Sequence, residues 1–338
     1  MLAEEPTLKA AQRGDQAAFA QLVSPYRREL RAHCYRMSGS LADAEDLVQE
    51  GLLRAWKGLA TFEGRSNLRT WLYRVTTNAC LDALDKKSGR LLPMELGPAA
   101  GPGDPIGPPR LDPIWVEPCP KDLYDTASAS PEARYQQRES VTLAFLVALQ
   151  VLPAKQRVVL LLRDVVGWEA SECAELLEIS VAAVNSALQR ARETLAARSG
   201  SPPASLRPID DAETSALLSR YVQAWELADV NALVALLHED ATLAMPPLAE
   251  WLAGARAIGA AIEAMVFGPA GPGAFRLVRT EANGRPALAA YQHDRESGEW
   301  RATALHVLEL DDGRIDSIVA FLNPSLFAAF GLPSLLSA

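Results

Sequence analysis

Apolar positions recur every three or four residues through most of residues 7–198 and alternate in short runs after about residue 240. The clearest periodicity surrounds residues 41–57. Leu41, Ala44, Val48, Leu52 and Ala55 follow steps of 3, 4, 4 and 3, and Asp43, Asp46, Glu50, Arg54 and Lys57 follow the same steps on the other side. That spacing predicts an amphipathic helix whose charged face begins acidic and ends basic. A second helix, starting near Leu68, is expected to bury Leu68, Trp71 or Leu72, Val75 and Ala79, leaving Arg69, Arg74, Thr77 and Asn78 to a partner. Between them lies the polar loop Phe62-Glu63-Gly64-Arg65-Ser66-Asn67. Cations and small polar groups interleaved with aromatics suit unstacked bases held against a phosphate backbone. On spacing alone, a helical core with a solvated charged face accounts for the segment equally well.

Residues 131–198 are expected to be helical again. Pro153 opens a helix running through Arg157 to Asp164, Glu169–Leu177 forms a short helix, Glu178-Ile179 a turn, and Ser180 caps a longer helix. In that helix Val181, Val184, Leu188, Ala191 and Leu195 are spaced 3, 4, 3 and 4, opposite Asn185, Ser186, Gln189, Arg190 and Arg192. A short helix, a tight turn and a capped second helix with hydrogen-bonding residues near its start suit a helix-turn-helix that reads a major groove. The pattern changes after Asp211 to two helices (211–228 and 231–238), a strand at 241–245, a helix near 255–266, and strands near 274–282, 286–293, 300–310 and 314–322. Asn283-Gly284, Ser297-Gly298 and Asp312-Gly313 supply the turns. Helices followed by antiparallel strands indicate an α+β domain after two all-α domains.

Two segments interrupt these patterns. Residues 91–130 hold nine prolines and four glycines, a linker that cannot form a regular element, and 199–209 are a shorter one. The domains are therefore read as 1–90, 131–198 and 210–338. Within the long linker, Trp115 needs somewhere to bury itself.

Composition adds a division of charge. The net −9 splits into +3 over residues 1–90, −4 over 91–130, 0 over 131–198 and −8 over 199–338. The basic excess sits on the candidate base-binding segment, and is too weak for strong phosphate attraction by the isolated chain. The cysteines, Cys34, Cys80, Cys119 and Cys173, show no CxxC spacing, so a reduced cytoplasmic protein without a metal is expected, with His33 and Cys34 packed in a helix. No apolar run is long enough to span a membrane, and no signal core begins the chain.

The string DAEDLVQEGLLRAW followed by FEGRSNLRTWLYRVTTNACLD resembles region two of the extracytoplasmic-function (ECF) group of sigma-70-type sigma factors. The resemblance implies that Asp43, Asp46, Gln49 and Glu50 dock on the coiled coil of the largest subunit of core RNA polymerase. It also implies that Phe62, Arg65, Ser66, Asn67, Arg69, Trp71, Arg74 and Asn78 melt and capture the promoter −10 element. EASECAELLEISVAAVNSALQRARETL resembles sigma region four, which implies contact with the polymerase flap and with −35 DNA through Ser180, Val181, Ala182, Asn185, Ser186, Gln189, Arg190 and Arg192. Members of the family carry a basic residue where this chain has Asn185, and often another at Ala187, so a weaker or altered −35 preference is expected.

Trp115, Glu117 and Pro118 resemble the tryptophan-glutamate-proline linker motif of extended ECF sigma factors, and Asn323-Pro324 their C-terminal asparagine-proline motif. YVQAWELADVNALVALLHEDATLAMPP and WLAGARAIGAAI resemble the SnoaL-like branch of the NTF2 superfamily, a cone with a pocket. Some relatives are enzymes, and Asp229, Asp240, His293 and His306 are the candidate proton-transfer groups. Each also reads as an ordinary cap, turn or strand residue, so catalysis is not expected. The expected protein is a promoter-recognition subunit without a cofactor. Its C-terminal domain would contact the sigma domains or linker in place of an obligatory anti-sigma protein. A helix-turn-helix regulator with a ligand-sensing domain leaves residues 43–84 unexplained. A SnoaL-like enzyme fused to a DNA-binding module needs a proton-transfer site that the sequence does not supply.

Overall fold

The computed structural model describes residues 4–64, 66–84, 89–101, 103–112, 114–124, 131–198 and 212–337. They form two compact units. The first gathers the described parts of Met1–Arg90, Leu123–Ala129 and Ala144–Gly200; the second gathers those of Leu91–Asp122, Ser130–Leu143 and Ser201–Ala338.

The first unit begins with helices α1 (Glu4–Gln12), α2 (Gln16–Val23), α3 (Arg27–Ser38), α4 (Leu41–Gly58) and α5 (Leu68–Leu84). Gly39, at φ 71°, ends α3, and the Ser40 hydroxyl caps α4 by accepting from the Asp43 N–H. The expected stripe of α4, from Leu41 to Ala55, is buried. On α5 Leu72, Tyr73, Ala79 and Cys80 are buried, whereas Trp71 and the expected core positions Leu68 and Val75 are half-exposed. Thr77, expected on the open face, is buried instead, 3.0 Å from the ring of His33. Leu72, Thr76 and Cys80 line the buried side at steps of four, which turns Thr77 inward with them. Cys34 and Cys80 meet there, Sγ to Sγ, at 3.6 Å.

The same unit continues through α7 (Leu143–Val151) and α8 (Ala154–Leu160), which widens into π turns over Leu161–Val166. Pro153, expected in the first turn of this helix, is the N-cap of α8. Then come α9 (Ala170–Leu177) and α10 (Val181–Arg198). Glu169 and Glu172 form a reciprocal capping box on α9, and Glu178 takes a left-handed φ of 55° at the turn. Val184, Ala187, Leu188 and Ala191 are the buried side of α10, whereas Val181 is exposed.

Arg157 joins these helices to the first bundle. It is buried, and its guanidinium donates to the carbonyls of Met37, Gln150 and Leu152 and to Gln150 Oε1. Burial pushes its pKa down to about 10, so it is charged at neutral pH.

Helix α6 (Pro131–Glu139), read from sequence as part of the helix-turn-helix domain, belongs to the second unit. Arg138 lies 3.9 Å from Glu281, and the Val141 carbonyl accepts from Asn283 Nδ2 at 2.6 Å.

In the second unit α11 (Ala212–Glu226), α12 (Val230–Leu236) and α13 (Ala255–Ile262) pack on a seven-stranded sheet. Its strands are β1 (Leu237–Ala244), β2 (Trp251–Ala253), β3 (Phe275–Ala282), β4 (Arg285–His293), β5 (Trp300–Asp311), β6 (Arg314–Phe321) and β7 (Leu335–Leu336). The order is β2-β1-β6-β5-β4-β3, with β7 on β5; β1 and β6 run parallel and the other pairs antiparallel. The sequence pattern missed β2 and β7, which are too short for alternation to register. The core runs from Leu217 and Tyr221 through Phe267 and Phe275 to Ile318.

Replacing Arg157 by Met would leave three buried carbonyls without their donor. Arg157→Met is expected to lower stability by about 3 kcal/mol, read as a fall in the urea midpoint of the first unit.

Candidate nucleic-acid interface

The charged face of α4 is only partly open. Asp43 is half-buried and paired with Arg90 at 2.8 Å, and Glu50 is paired with Arg54 at 2.7 Å. Asp46 and Gln49 are exposed, and their side chains make no hydrogen bond or ion pair among the described residues. The segment's free acceptors are thus concentrated at the middle of α4.

In the loop after α4, Phe62 packs on Trp71 at 5.0 Å, and both rest on the small cluster of Ala11, Ala18, Leu22 and Leu59. These rings are half-buried edges of a local core rather than free stacking platforms. Asn67 Oδ1 accepts from the Thr70 N–H at 2.7 Å, so it caps α5. Ser66 is half-exposed, Asn78 is exposed, and Arg65 lies outside the described residues. Arg69 makes a two-pronged contact with Glu29 and lies over the Tyr73 ring at 5.1 Å. The hydrogen bonds that Arg69 donates to Glu29 raise its pKa. Arg74 pairs with Glu178, from the turn before α10, at 2.9 Å. Glu29 and Glu178 are partners that spacing could not find, because they come from 40 and 104 residues away.

On α10, the Ser180 hydroxyl accepts from the Ala183 N–H, as its capping role required. Val181, Ala182, Asn185, Ser186, Gln189 and Arg190 are all exposed. Arg190 donates to Ser186 at 2.6 Å and Gln189 to Glu193 at 2.9 Å. Arg192 is held by both oxygens of Asp164, at 3.0 and 2.7 Å. The open face is therefore amide and hydroxyl in character, with Arg190 as its least constrained cation. Ala187 is buried, so a basic side chain there would have no water.

The linker residues fall in the second unit. Trp115 is buried, and its indole N–H donates to the Arg110 carbonyl at 2.8 Å. Pro118 and Cys119 are also buried, and Glu117 is half-exposed. Asn283, in the β3–β4 turn, accepts from the Cys119 N–H at 2.9 Å and donates its own N–H to the Cys119 carbonyl at 3.0 Å.

These features coincide with known sequence families. Residues 22–90 match Sigma-70 region 2, residues 142–195 match Sigma-70, region 4, and residues 218–318 match the SnoaL-like domain. Over 323 residues the chain is 47% identical to the ECF RNA polymerase sigma factor SigG of Mycobacterium tuberculosis, covering 95% of this chain and 85% of that one. The chain belongs to the ECF RNA polymerase sigma factors. It is 29% identical to SigW of Bacillus subtilis over 56% of its length and 92% of the relative. The crystal structure of the M. tuberculosis ECF sigma factor SigJ shares the fold, with a TM-score of 0.59 and 24% identity over 92% of this chain and all of that one. Sigma factors are regulators that bind RNA polymerase and promoter DNA, not enzymes. No helix among the described residues is long and apolar enough to cross a membrane.

In the sigma factor's SnoaL-like domain the four candidate proton-transfer residues do not converge. Asp229 caps α12 through the Ala232 N–H, Asp240 is exposed on β1, and His293 packs on Trp300 at 5.0 Å. His306 alone lies inside a cavity, 3.0 Å from the Tyr221 hydroxyl. Asn323 accepts from the Ser325 N–H and hydroxyl, starting a short helical turn that buries Leu326 and Phe327.

Burial lowers the pKa of His33 to about 3 and of His306 to about 4. In the unfolded chain each titrates near its ordinary value of about 6.5. Below that pH the unfolded state binds more protons, so stability falls as pH drops through the window from about 6.5 toward 4. Urea midpoints measured between pH 6.5 and 5 are expected to fall, with a shallower slope for the second unit in His306→Gln.

Proposed function

We propose that this sigma factor directs initiation through −10 and −35 contacts made by its two helical domains, and that its C-terminal domain sets the activity in cis by gripping the linker. The observation that carries the cis reading is the Asn283 contact. One buried asparagine exchanges two hydrogen bonds with Cys119 and donates a third to Val141. It thereby holds both ends of the segment between Cys119 and Val141 to one hairpin turn. Lys121 adds an ion pair to Glu281 at 3.1 Å. Further back, the Ala100 and Arg110 N–H groups donate to carbonyls of Trp251 and Pro247, and the Trp251 indole donates to Gly97.

The reading surfaces of the first unit support a resting form. Arg74, assigned to the −10 strand, is paired with Glu178 beside the recognition helix. An exposed pair of this kind contributes only about 0–1 kcal/mol. The buried Arg157 contacts and the Tyr73–Trp168 packing at 5.5 Å supply most of the hold. Polymerase, docking at Asp46, Gln49 and Glu50, would separate these surfaces and free Arg74 for the −10 strand. With the linker under control of its own C-terminal domain, no separate anti-sigma protein is obligatory in this reading.

Run-off transcription with purified core polymerase and a promoter library tests the function. Asp46→Arg is expected to weaken core binding by about tenfold or more without unfolding the chain. Failure of the wild-type protein to support initiation on any promoter would sink the reading.

Asn283→Gly tests the cis control, because glycine keeps the left-handed φ of 54° while removing the side chain. The variant is expected to speed proteolysis near Cys119 and to change run-off yield several-fold. Unchanged cleavage and yield would remove the linker grip from the mechanism.

A further inference from the structure

A recognition helix tells bases apart only with groups that its own fold has not already engaged. On α10 the buried side, Val184, Ala187, Leu188 and Ala191, fixes which side faces outward. The Ser180 cap holds the first turn by accepting from the Ala183 N–H at 3.1 Å. The outward side chains are therefore carried on a rigid frame, which precise base contact requires.

Most polar groups on that side are engaged within the protein. The Gln189 amide nitrogen donates to Glu193, the Ser186 hydroxyl accepts from Arg190, and Arg192 is held by both oxygens of Asp164. Asn185 is different. It is exposed in the second turn of the helix, and its side chain has no hydrogen-bond partner among the described residues. A carboxamide in that state offers a donor and an acceptor side by side. Adenine presents the matching pair in the major groove, its N6 amino donor beside the N7 acceptor, whereas guanine presents two acceptors and suits a guanidinium.

One turn back stands Val181, which is 44% exposed. Residues four apart on a helix are neighbours on its surface. The first turns of a recognition helix are the part that reaches base edges. There an apolar side chain left in water gains from the methyl group of a thymine, the apolar group that the bases offer in the major groove. Ala182 beside it is exposed too and brings no charge to the contact.

We propose that Asn185 and Val181 set the −35 specificity of this sigma factor. Asn185 makes two hydrogen bonds to an adenine, and Val181 packs on the methyl group of a thymine in a neighbouring base pair. The inference rests on the reading of α10 as the −35 contact, and adds to it which bases are chosen and by which side chains.

Holoenzyme assembled from core polymerase and the full chain is tested by run-off transcription on a promoter library randomised across the −35 element. The wild type is expected to prefer adenine at one position by about tenfold, and thymine at a neighbouring one more weakly. Asn185→Ala should flatten the adenine preference and keep the thymine preference, whereas Asn185→Arg should move the first to guanine. Two altered bases then probe the contacts directly. Placing 7-deazaadenine for the adenine removes N7, and should lower the yield of the wild type several-fold but not that of Asn185→Ala. Placing deoxyuridine for the thymine removes the methyl group, and should lower the yield of the wild type but not that of Val181→Ala. An adenine preference that survives Asn185→Ala, or a loss on 7-deazaadenine equal in both proteins, would overturn the Asn185 contact. Equal yields on thymine and deoxyuridine in the wild type would overturn the Val181 contact. Initiation with no base preference in the −35 element would overturn both. Failure to initiate on any promoter is a separate outcome: it removes the promoter-recognition reading itself, and these contacts with it.

Discussion

Backbone N–H and C=O groups taken out of water must find partners, and residues 91–122, rich in proline, cannot supply enough of them to one another. Among its described residues the backbone of the segment bonds to itself only through a few tight turns and a short ladder, in which Leu91 donates to Ile114 and accepts from Val116. The rest of its recorded long-range backbone contacts go to the SnoaL-like domain. Cys119 meets Asn283, Pro120 bridges Ala282, and Ala100 and Arg110 donate to the loop that precedes β2 and to β2 itself. A linker satisfied in this way has a conformation only while that domain is folded. This gives the C-terminal domain a physical hold on a segment whose sequence alone reads as a spacer.

The first unit shows the same economy with charge. Arg69, Arg74 and Arg192, three of the cations assigned to promoter DNA, each have a carboxylate partner within the unit. The pairs differ in consequence. Arg69 also stacks on Tyr73 and is half-buried, so it acts first as a brace between α5 and α3. Arg74 and Arg192 are more exposed, and phosphate can compete with a solvated carboxylate at little cost. A chain with so modest a basic excess on this unit is thus suited to reading DNA in the company of polymerase, which supplies the missing attraction.

In the SnoaL-like domain, two histidines from the same hairpin took opposite fates. His293 sits near the end of β4 against Trp300, whereas His306 faces inward from β5 beside Tyr221. Alternation along a strand assigns a face but not which face closes over a cavity. That depended on the curvature that the shifts in register between β4 and β5 and between β5 and β6 bring to the sheet.

Much of the architecture was legible in the residues themselves. The stripe of α4, the Ser180 cap, the Asn283-Gly284 turn and the major strands follow from spacing and local chemistry, because such elements are fixed by contacts within a few residues. The resemblance of residues 43–84 carried the family. Sequence could not say that Thr77 turns inward, that α6 leaves the helix-turn-helix for the other unit, or that Arg74 meets Glu178. Nor could it say that the same Asn283 that makes a turn also clamps the linker. Each of these depends on a partner many residues away, and only the packed chain decides which distant groups a buried donor or charge must meet.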